Sequence, residues 1–370
     1  MQLFAIKDIC CPSLLDSVSC QGQLALEQGI VSPRYAPSDS EEVAEGLLIC
    51  QKCHEAFPIL GGISIMVAHP WLYLRDNYDT ILAITAEAGV PISQSMILAM
   101  QDKGADIGPS GKGGNKYDQR DILSGYLSRH YDSVLDMFST NHPILNKVQN
   151  FSEDFYSIAV GLLLPYLDSS QMVLDIGCGV GRSVYELAGR CRFIYGVEYS
   201  FVSAFQARRI LRHTPNRLES YMLKLDGDIY SRRILPERRR DNIEIVVASG
   251  DNLPFPTDRF DVTNSWNVID RTPNPEKFLA EQERALKSGG IIFLTDPYAW
   301  DISYAPRSQW FGGQNNKRSV IAIRERVEKT SDILQEQEYI PWLFWKYERE
   351  FSLFYCHALV ARKRAMEMAA

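Results

Sequence analysis

The sequence predicts an α/β protein: a doubly wound, mostly parallel sheet with helices on its faces. A short apolar run, Met172-Val173-Leu174, leads through Asp175 and Ile176 into glycines at alternate positions, Gly177, Gly179 and Gly181. A helical pattern follows through Tyr185 and Leu187. Further apolar runs recur downstream at Phe193–Glu198, Ile243–Ala248, Arg259–Asn264 and Lys287–Thr295. Acids stand at or just after the ends of successive runs: Asp175, Glu198 and Asp251.

The first element reads as a buried strand, a tight turn and a helix start. Its glycines let a backbone approach a ligand closely, and the helix N-terminus offers free N–H groups. The spacing is G-x-G-x-G, not the dinucleotide G-x-G-x-x-G. Asp175 is expected at the strand end facing the ligand, where it repels a pyrophosphate and suits a cationic amino-acid moiety. This favours S-adenosylmethionine (SAM) over NAD. Glu198, with Tyr199 beside it, is placed to accept from both ribose hydroxyls. Asp251 is placed to accept from the adenine amine, and the N–H of Asn252 to serve a ring nitrogen. Carboxylates that merely cap helices are the plain alternative; their ordered placement at strand ends weighs against it. From Gln171 to Arg362 the chain resembles the class I SAM-dependent methyltransferases. That resemblance implies a seven-stranded Rossmann-like core over residues 171–370.

The net charge of −7 argues against a dedicated nucleic-acid binder. No basic segment followed by an apolar one opens the chain, and the best apolar run, Ile158–Leu164, is far too short for a bilayer. A cytoplasmic protein with no membrane partner is expected, its eight cysteines reduced or metal-bound.

Residues 1–69 carry five of those cysteines: Cys10, Cys11, Cys20, Cys50 and Cys53. Leu47–Ile49 reads as a strand entering a C-x-x-C knuckle at Cys50 and Cys53, Phe57–Ile63 as a turn and short strand, and Ser32–Glu45 as a polar loop. The segment resembles the small zinc-ribbon domain that activates tRNA and release-factor methyltransferases. Its first knuckle reads Cys11-Pro12-Ser13-Leu14, without the second cysteine of C-P-x-C. Tetrahedral zinc needs four ligands. Cys11, Cys50 and Cys53 are candidates, with Cys10, Cys20 or His54 for the fourth; a metal-free ribbon is the alternative. Such a domain also offers a surface for a protein partner or a second copy of the chain.

Residues 70–170 are mostly helical in pattern, interrupted by a Gly/Lys/Asn-rich stretch from Gly104 to Asn115. They are expected to form a lid over the open face of the core. Between Leu211 and Asn242 the chain exceeds what a plain connection needs and carries Arg232-Arg233 and Arg238-Arg239-Arg240. A solvated basic face is the expectation.

The loop after the fourth strand edges the transferring methyl group in this fold. It reads Asn267-Val268-Ile269-Asp270-Arg271 and lacks the N-P-P-Y of amide and adenine methylation; Asp296-Pro297-Tyr298 follows the fifth strand instead. With Tyr298-Ala299-Trp300, Trp310-Phe311-Gly312-Gly313 and Tyr126-Leu127-Ser128-Arg129-His130-Tyr131, these segments resemble the C-terminal methyltransferase domain of ovothiol synthases. Ile340-Pro341, Arg349 and Phe351 echo its last segment, so the likeness runs from Ile122 to Arg362. N-x-x-D-R also resembles the protein-histidine methyltransferases. The resemblance implies methylation of an imidazole nitrogen in histidine, a histidine derivative or a peptide. The sulfur-inserting domains of ovothiol synthases are absent, and a ribbon-like segment stands in their place. Methyl transfer from a sulfonium needs a neutral lone pair in line with the methyl carbon, which imidazole supplies near neutral pH. Asn267 is the candidate to fix the imidazole tautomer and also borders the cofactor. Tyr298, His130 and Tyr131 are further polar contacts, and Asp270 with Arg271 forms an ion pair that positions the loop. An O- or N-methyltransferase with another small acceptor, or a SAM-binding interaction module, are the competing readings.

Overall fold

The computed structural model describes residues 1–31, 42–105, 120–133, 154–212, 219–235 and 238–365. Most of the polar loop after Ser32 and of the Gly/Lys/Asn-rich stretch therefore lies outside the described residues. So does the stretch from 134 to 153.

The N-terminal segment forms a hairpin, β1 (Leu14–Leu15) and β2 (Val18–Ser19), and a four-stranded antiparallel sheet in the order β3-β4-β5-β6. These strands are β3 (Leu24–Val31), β4 (Val43–Cys50), β5 (Ala56–Leu60) and β6 (Ile63–Ser64). Among the described residues five helices follow: α1 (Pro70–Asp76), α2 (Tyr78–Glu87), α3 (Gln94–Ala105), α4 (Arg120–Tyr131) and α5 (Phe155–Leu163). The Asp154 side chain caps α5 by accepting from the Tyr156 N–H at 3.3 Å.

The core alternates β7 (Met172–Ile176), α6 (Arg182–Ala188), β8 (Phe193–Glu198) and α7 (Phe201–Arg212). A hairpin, β9 (Ser220–Asp226) and β10 (Ile229–Ile234), precedes β11 (Ile243–Val247) and β12 (Phe260–Trp266). Then come α8 (Pro275–Ala285), β13 (Leu286–Asp296), α9 (Ser319–Val327), β14 (Ser331–Tyr347) and β15 (Glu350–Lys363). The seven-stranded sheet has the order β11-β8-β7-β12-β13-β15-β14. Its first five strands are parallel; β15 is antiparallel to both neighbours. Chain order reverses between β7 and β12, so the strand ends there form the crevice where open α/β sheets take ligands. No helix among the described residues is long and apolar enough to cross a membrane.

The N-terminal sheet is docked against the core. Ile65 bridges Val247 in parallel, and the Met66 N–H donates to the Val247 carbonyl at 2.7 Å, so the N-terminal segment meets the edge strand β11. Behind this seam lies a buried ion network. Arg208 of α7 contacts Glu42 at 2.8 Å and Glu244 at 3.2 Å, and Arg212 also pairs with Glu42. All four side chains are at most 2% exposed.

The basic insert departs from the expected solvated face. Its hairpin clamps α4: Ser124 donates to the Met222 carbonyl at 2.7 Å, Tyr221 to Asp132 at 2.5 Å, and Lys224 pairs with Asp121 at 2.5 Å. Arg238 and Arg240 lie over the Tyr185 ring, at 4.8 and 4.0 Å from its centroid. Arg232 remains exposed. The physical reason is that arginine stems and planes pack well on aromatic faces, which a charge count does not register.

Candidate functional site

At the end of β7 the chain turns over glycines in left-handed backbone. Gly177 (φ +78°) passes so close to Val268 that a Cβ would come within 2.5 Å of its Cγ2. Gly181 (φ +92°) precedes α6 and packs against Leu211 with the same intolerance, a Cβ meeting Cδ1 at 2.8 Å. The N–H groups of Gly177 and Cys178 donate to the Val197 carbonyl, tying the turn to β8. Glu198 ends β8 with one carboxylate oxygen on the Gly179 N–H and the other on the Ser200 N–H, both at 2.9 Å. It therefore stands beside the glycine turn.

Asp175 does not face the ligand side as expected. It is fully buried and accepts from Ser183 of α6 at 2.5 Å through one oxygen, while the other has no partner. Burial pushes its carboxyl up to about 7, Ser183 pulling down and the Glu198 charge pushing up. Strand alternation aims the side chain beneath the turn, where it braces the start of α6. Asp251 accepts from Ser249 at 2.5 Å. Asn252 differs from its expected part: its N–H closes a turn onto the Ser249 carbonyl, and its amide donates to the Pro12 carbonyl at 2.7 Å. A tight turn consumes its own N–H, and the amide serves as a strap to the N-terminal segment. Tyr199 is 52% exposed and meets Tyr73 edge-on, while Tyr73 donates to its carbonyl at 2.7 Å.

On the other side of the crevice, Asn267 follows β12 with φ +60°, a conformation asparagine tolerates. Its Oδ1 accepts from the Thr295 hydroxyl at 2.9 Å, leaving a carbonyl lone pair. Asp270 and Arg271 hold backbone: Asp270 accepts from the Ala299 N–H at 2.7 Å and Arg271 donates to the Ala299 carbonyl at 2.9 Å. These contacts make them a scaffold for the loop carrying Tyr298. Asp296 joins them, accepting from the Tyr298 N–H at 2.6 Å; burial raises the pKa of both Asp270 and Asp296. The Tyr298 hydroxyl meets His357 Nδ1 at 2.7 Å, and His357 Nε2 meets Glu336 at 2.9 Å. His357 and Glu336 were not expected; they arrive on β15 and β14, which sequence spacing does not bring to β13.

Helix α4 sets His130 over the glycine turn, with its Cε1 at 3.4 Å from where a Gly179 Cβ would lie. Burial, then the Arg129 and Arg182 charges, hold its pKa well below 6.5, so the ring is neutral. Tyr131 departs from its expected role. Its hydroxyl donates to the buried Val180 carbonyl at 2.6 Å, which makes it a strut between α4 and the turn.

Residues 174–294 match the family model described as a methyltransferase domain. The arsenite methyltransferase of Mus musculus is 28% identical over 161 residues, 42% of this chain and 39% of that protein. A sarcosine/dimethylglycine N-methyltransferase of Halorhodospira halochloris is 28% identical over 135 residues, 36% of this chain and 40% of that protein. The chain thus spans about two fifths of the length of the curated relatives it matches. A solved SAM-dependent methyltransferase from Methanosarcina mazei is 16% identical, with a TM-score of 0.40 over 55% of this chain and 97% of that one. Residues 174–294 thus form a methyltransferase domain. Its cofactor is S-adenosylmethionine, and the glycine turn, Glu198 and Asp251 are suited to it: close backbone, and carboxylates for hydroxyls and an amine.

Beside the methyltransferase domain, four thiols converge. The Sγ atoms of Cys11, Cys20, Cys50 and Cys53 lie within 4.8 Å of one another. Cys11 and Cys53 are 3.5 Å apart and Cys20 and Cys50 3.8 Å, close to the edge of about 3.8 Å that a tetrahedron with 2.3 Å zinc–sulfur bonds would have. Cys20 is brought to Cys11 by the β1–β2 hairpin that lies between them. Cys10 and His54 lie outside the cluster. Gly22 is required beside it, since a Cβ would come within 2.6 Å of Cys50 Sγ. Burial raises the Cys50 thiol, but the N–H groups of Cys53 and Lys52 together with the Cys53 and Cys11 side chains outweigh it and bring the pKa down to about 7.

Proposed function

We propose that the protein transfers the SAM methyl group to an imidazole nitrogen of histidine, a histidine derivative or a peptide. The observation that carries this reading is the association of three motif segments: α4 with His130, the Asn267 loop, and the Tyr298 loop. All three border one crevice end of the sheet. SAM supplies an electrophilic methyl group when bound. This chain's residues then have three tasks. The Asn267 oxygen accepts the acceptor's N–H and leaves the opposite nitrogen lone pair free. The Asp270–Arg271–Asp296 scaffold holds the Tyr298 loop against it. His130, neutral and buried, closes the space above the glycine turn against water. No strong base is needed for a neutral nucleophile.

Radiolabelled SAM incubated with histidine compounds and histidine peptides tests this directly. We expect label on an imidazole nitrogen, with turnover falling below a pH of about 6.5 as free imidazole protonates. Asn267→Ala should lower turnover at least about tenfold while leaving SAM affinity nearly unchanged, because it orients acceptor and not donor. A methyl group on oxygen, sulfur or another nitrogen would sink the imidazole reading. A second reading, an amine acceptor, draws on the sarcosine/dimethylglycine relative and is an arm of the same panel.

We also propose that Cys11, Cys20, Cys50 and Cys53 hold zinc as a structural ion within a ribbon that stabilises its own core. Elemental analysis should return about one zinc per chain, and Cys20→Ser should lower its retention against a chelator and the melting temperature together. A folded, zinc-free protein would show the four thiols to be a reduced apolar cluster.

A further inference from the structure

On α4, beside His130, lies a charge that the proposed chemistry leaves unused. Arg129 is 3% exposed, and its Nε and Nη2 have no hydrogen-bond partner. No carboxylate pairs with it among the described residues. Its guanidinium lies 5.9 Å from the Phe155 ring centroid and 5.8 Å from that of Tyr156. A second orphan faces the same aromatic wall: Trp342, whose ring is 6.3 Å from Phe155, has a buried Nε1 without a partner. Arginine and indole nitrogens only donate. Donors left bare in an apolar enclosure call for a group that only accepts, and the positive charge calls for an anion.

The location says which bound molecule brings that anion. Tyr156 stacks on Trp266, the residue before Asn267, at 5.6 Å. The Arg129 charge and the Asn267 side chain both pull down the pKa of the buried Cys356 thiol, whose burial pushes it up more strongly. Phe155, Trp266, Trp342 and Cys356 belong to the β12, β14 and β15 half of the crevice. Glu198 and Asp251 lie on the other half, at β8 and β11. Arg129 therefore stands on the acceptor side.

We propose that Arg129 binds a free carboxylate on the acceptor, so that the substrate is an amino-acid-like small molecule and not an internal residue of a peptide chain. This rests on the reading that the acceptor sits against Asn267. An ionised carboxylate meets the guanidinium fork with two parallel hydrogen bonds, while an internal peptide residue brings only neutral amides there.

The test uses the full chain saturated with S-adenosylhomocysteine, so that no turnover intervenes. Calorimetry compares two matched pairs, histidine with histamine and phenylalanine with phenethylamine. The carboxylate member should bind at least about tenfold tighter than its decarboxylated partner, and Arg129→Gln should erase that preference while S-adenosylhomocysteine affinity stays within about threefold. Arg129→Lys, which keeps the charge without the fork, should restore part of it. Binding of neither carboxylate, equal binding within the pairs, or a preference that survives Arg129→Gln would overturn the proposal. Loss of S-adenosylhomocysteine affinity in Arg129→Gln would overturn it too, by reassigning the guanidinium to the donor's own carboxylate. The imidazole reading fails separately: phenylalanine binding as well as histidine would refute it and leave the carboxylate anchor standing.

Discussion

Glu42→Ala should lower the stability of the protein by about 3–5 kcal/mol, the largest effect expected of any single substitution outside the apolar core. The carboxylate joins Arg208, at 2.8 Å, and Arg212 of one helix to the N-terminal segment, and all three side chains are sealed from water. Truncating it leaves two guanidinium groups in an apolar seam. Arg208 would keep Glu244, at 3.2 Å, and Arg212 would keep the Asp241 carbonyl, at 2.9 Å. Neither regains its hydration. The ion pair is not itself a large net gain, since its desolvation offsets most of the attraction; the penalty arises from breaking one side of it. Asp332, paired with Arg364 at the surface and 63% exposed, serves as the contrast, and Asp332→Ala should leave the unfolding midpoint where it is. Urea unfolding of both variants, with limited proteolysis of the N-terminal segment, makes the comparison. A Glu42→Ala midpoint as close to wild type as that of Asp332→Ala would mean the seam is held by apolar contacts alone.

That seam was not legible in the sequence, although the fold was. Short apolar runs located β7, β8, β11, β12 and β13 to within a few residues, because burial on both faces demands apolar side chains throughout. Glycines constrained by positive φ and close neighbours marked the turn after β7 for the same local reason. Readings that depended on direction or distant pairing fared differently. Asp175 was seen, but strand parity next to a turn does not say whether its carboxylate looks outward or, as here, down at Ser183. Cys20 was one of three options for a fourth ligand, because the β1–β2 hairpin between Cys11 and Cys20 breaks the C-P-x-C spacing that would identify it. His357 and Glu336 meet Tyr298 only through pairing of β13, β15 and β14, which no local pattern encodes. The arginines after Leu211 looked solvated because a charge run carries no information about the tyrosine it covers.

Glu198→Ala should abolish tight cofactor binding. The carboxylate is the point where two consequences meet. We propose that it accepts from both ribose hydroxyls, and charged acceptors of this kind contribute about 1.5–3 kcal/mol each. It also fixes the backbone that must cradle the rest of the cofactor, through the Gly179 N–H on one oxygen and the Ser200 N–H on the other. Alanine removes both roles at once, so SAM affinity should fall by at least about 2 kcal/mol, roughly 30-fold. Glu198→Gln separates them: its oxygen can still accept from one N–H, but its amide cannot accept from a second hydroxyl, and an intermediate loss is expected. The fold should survive both changes, because the side chain stands at a strand end and supports no apolar packing. Calorimetric titration with S-adenosylhomocysteine, alongside thermal melting, reads the two effects apart. A Glu198→Ala protein that melts normally and binds the ligand within about threefold of wild type would remove this carboxylate from the cofactor site. The glycine turn would then have to hold SAM by backbone contacts alone.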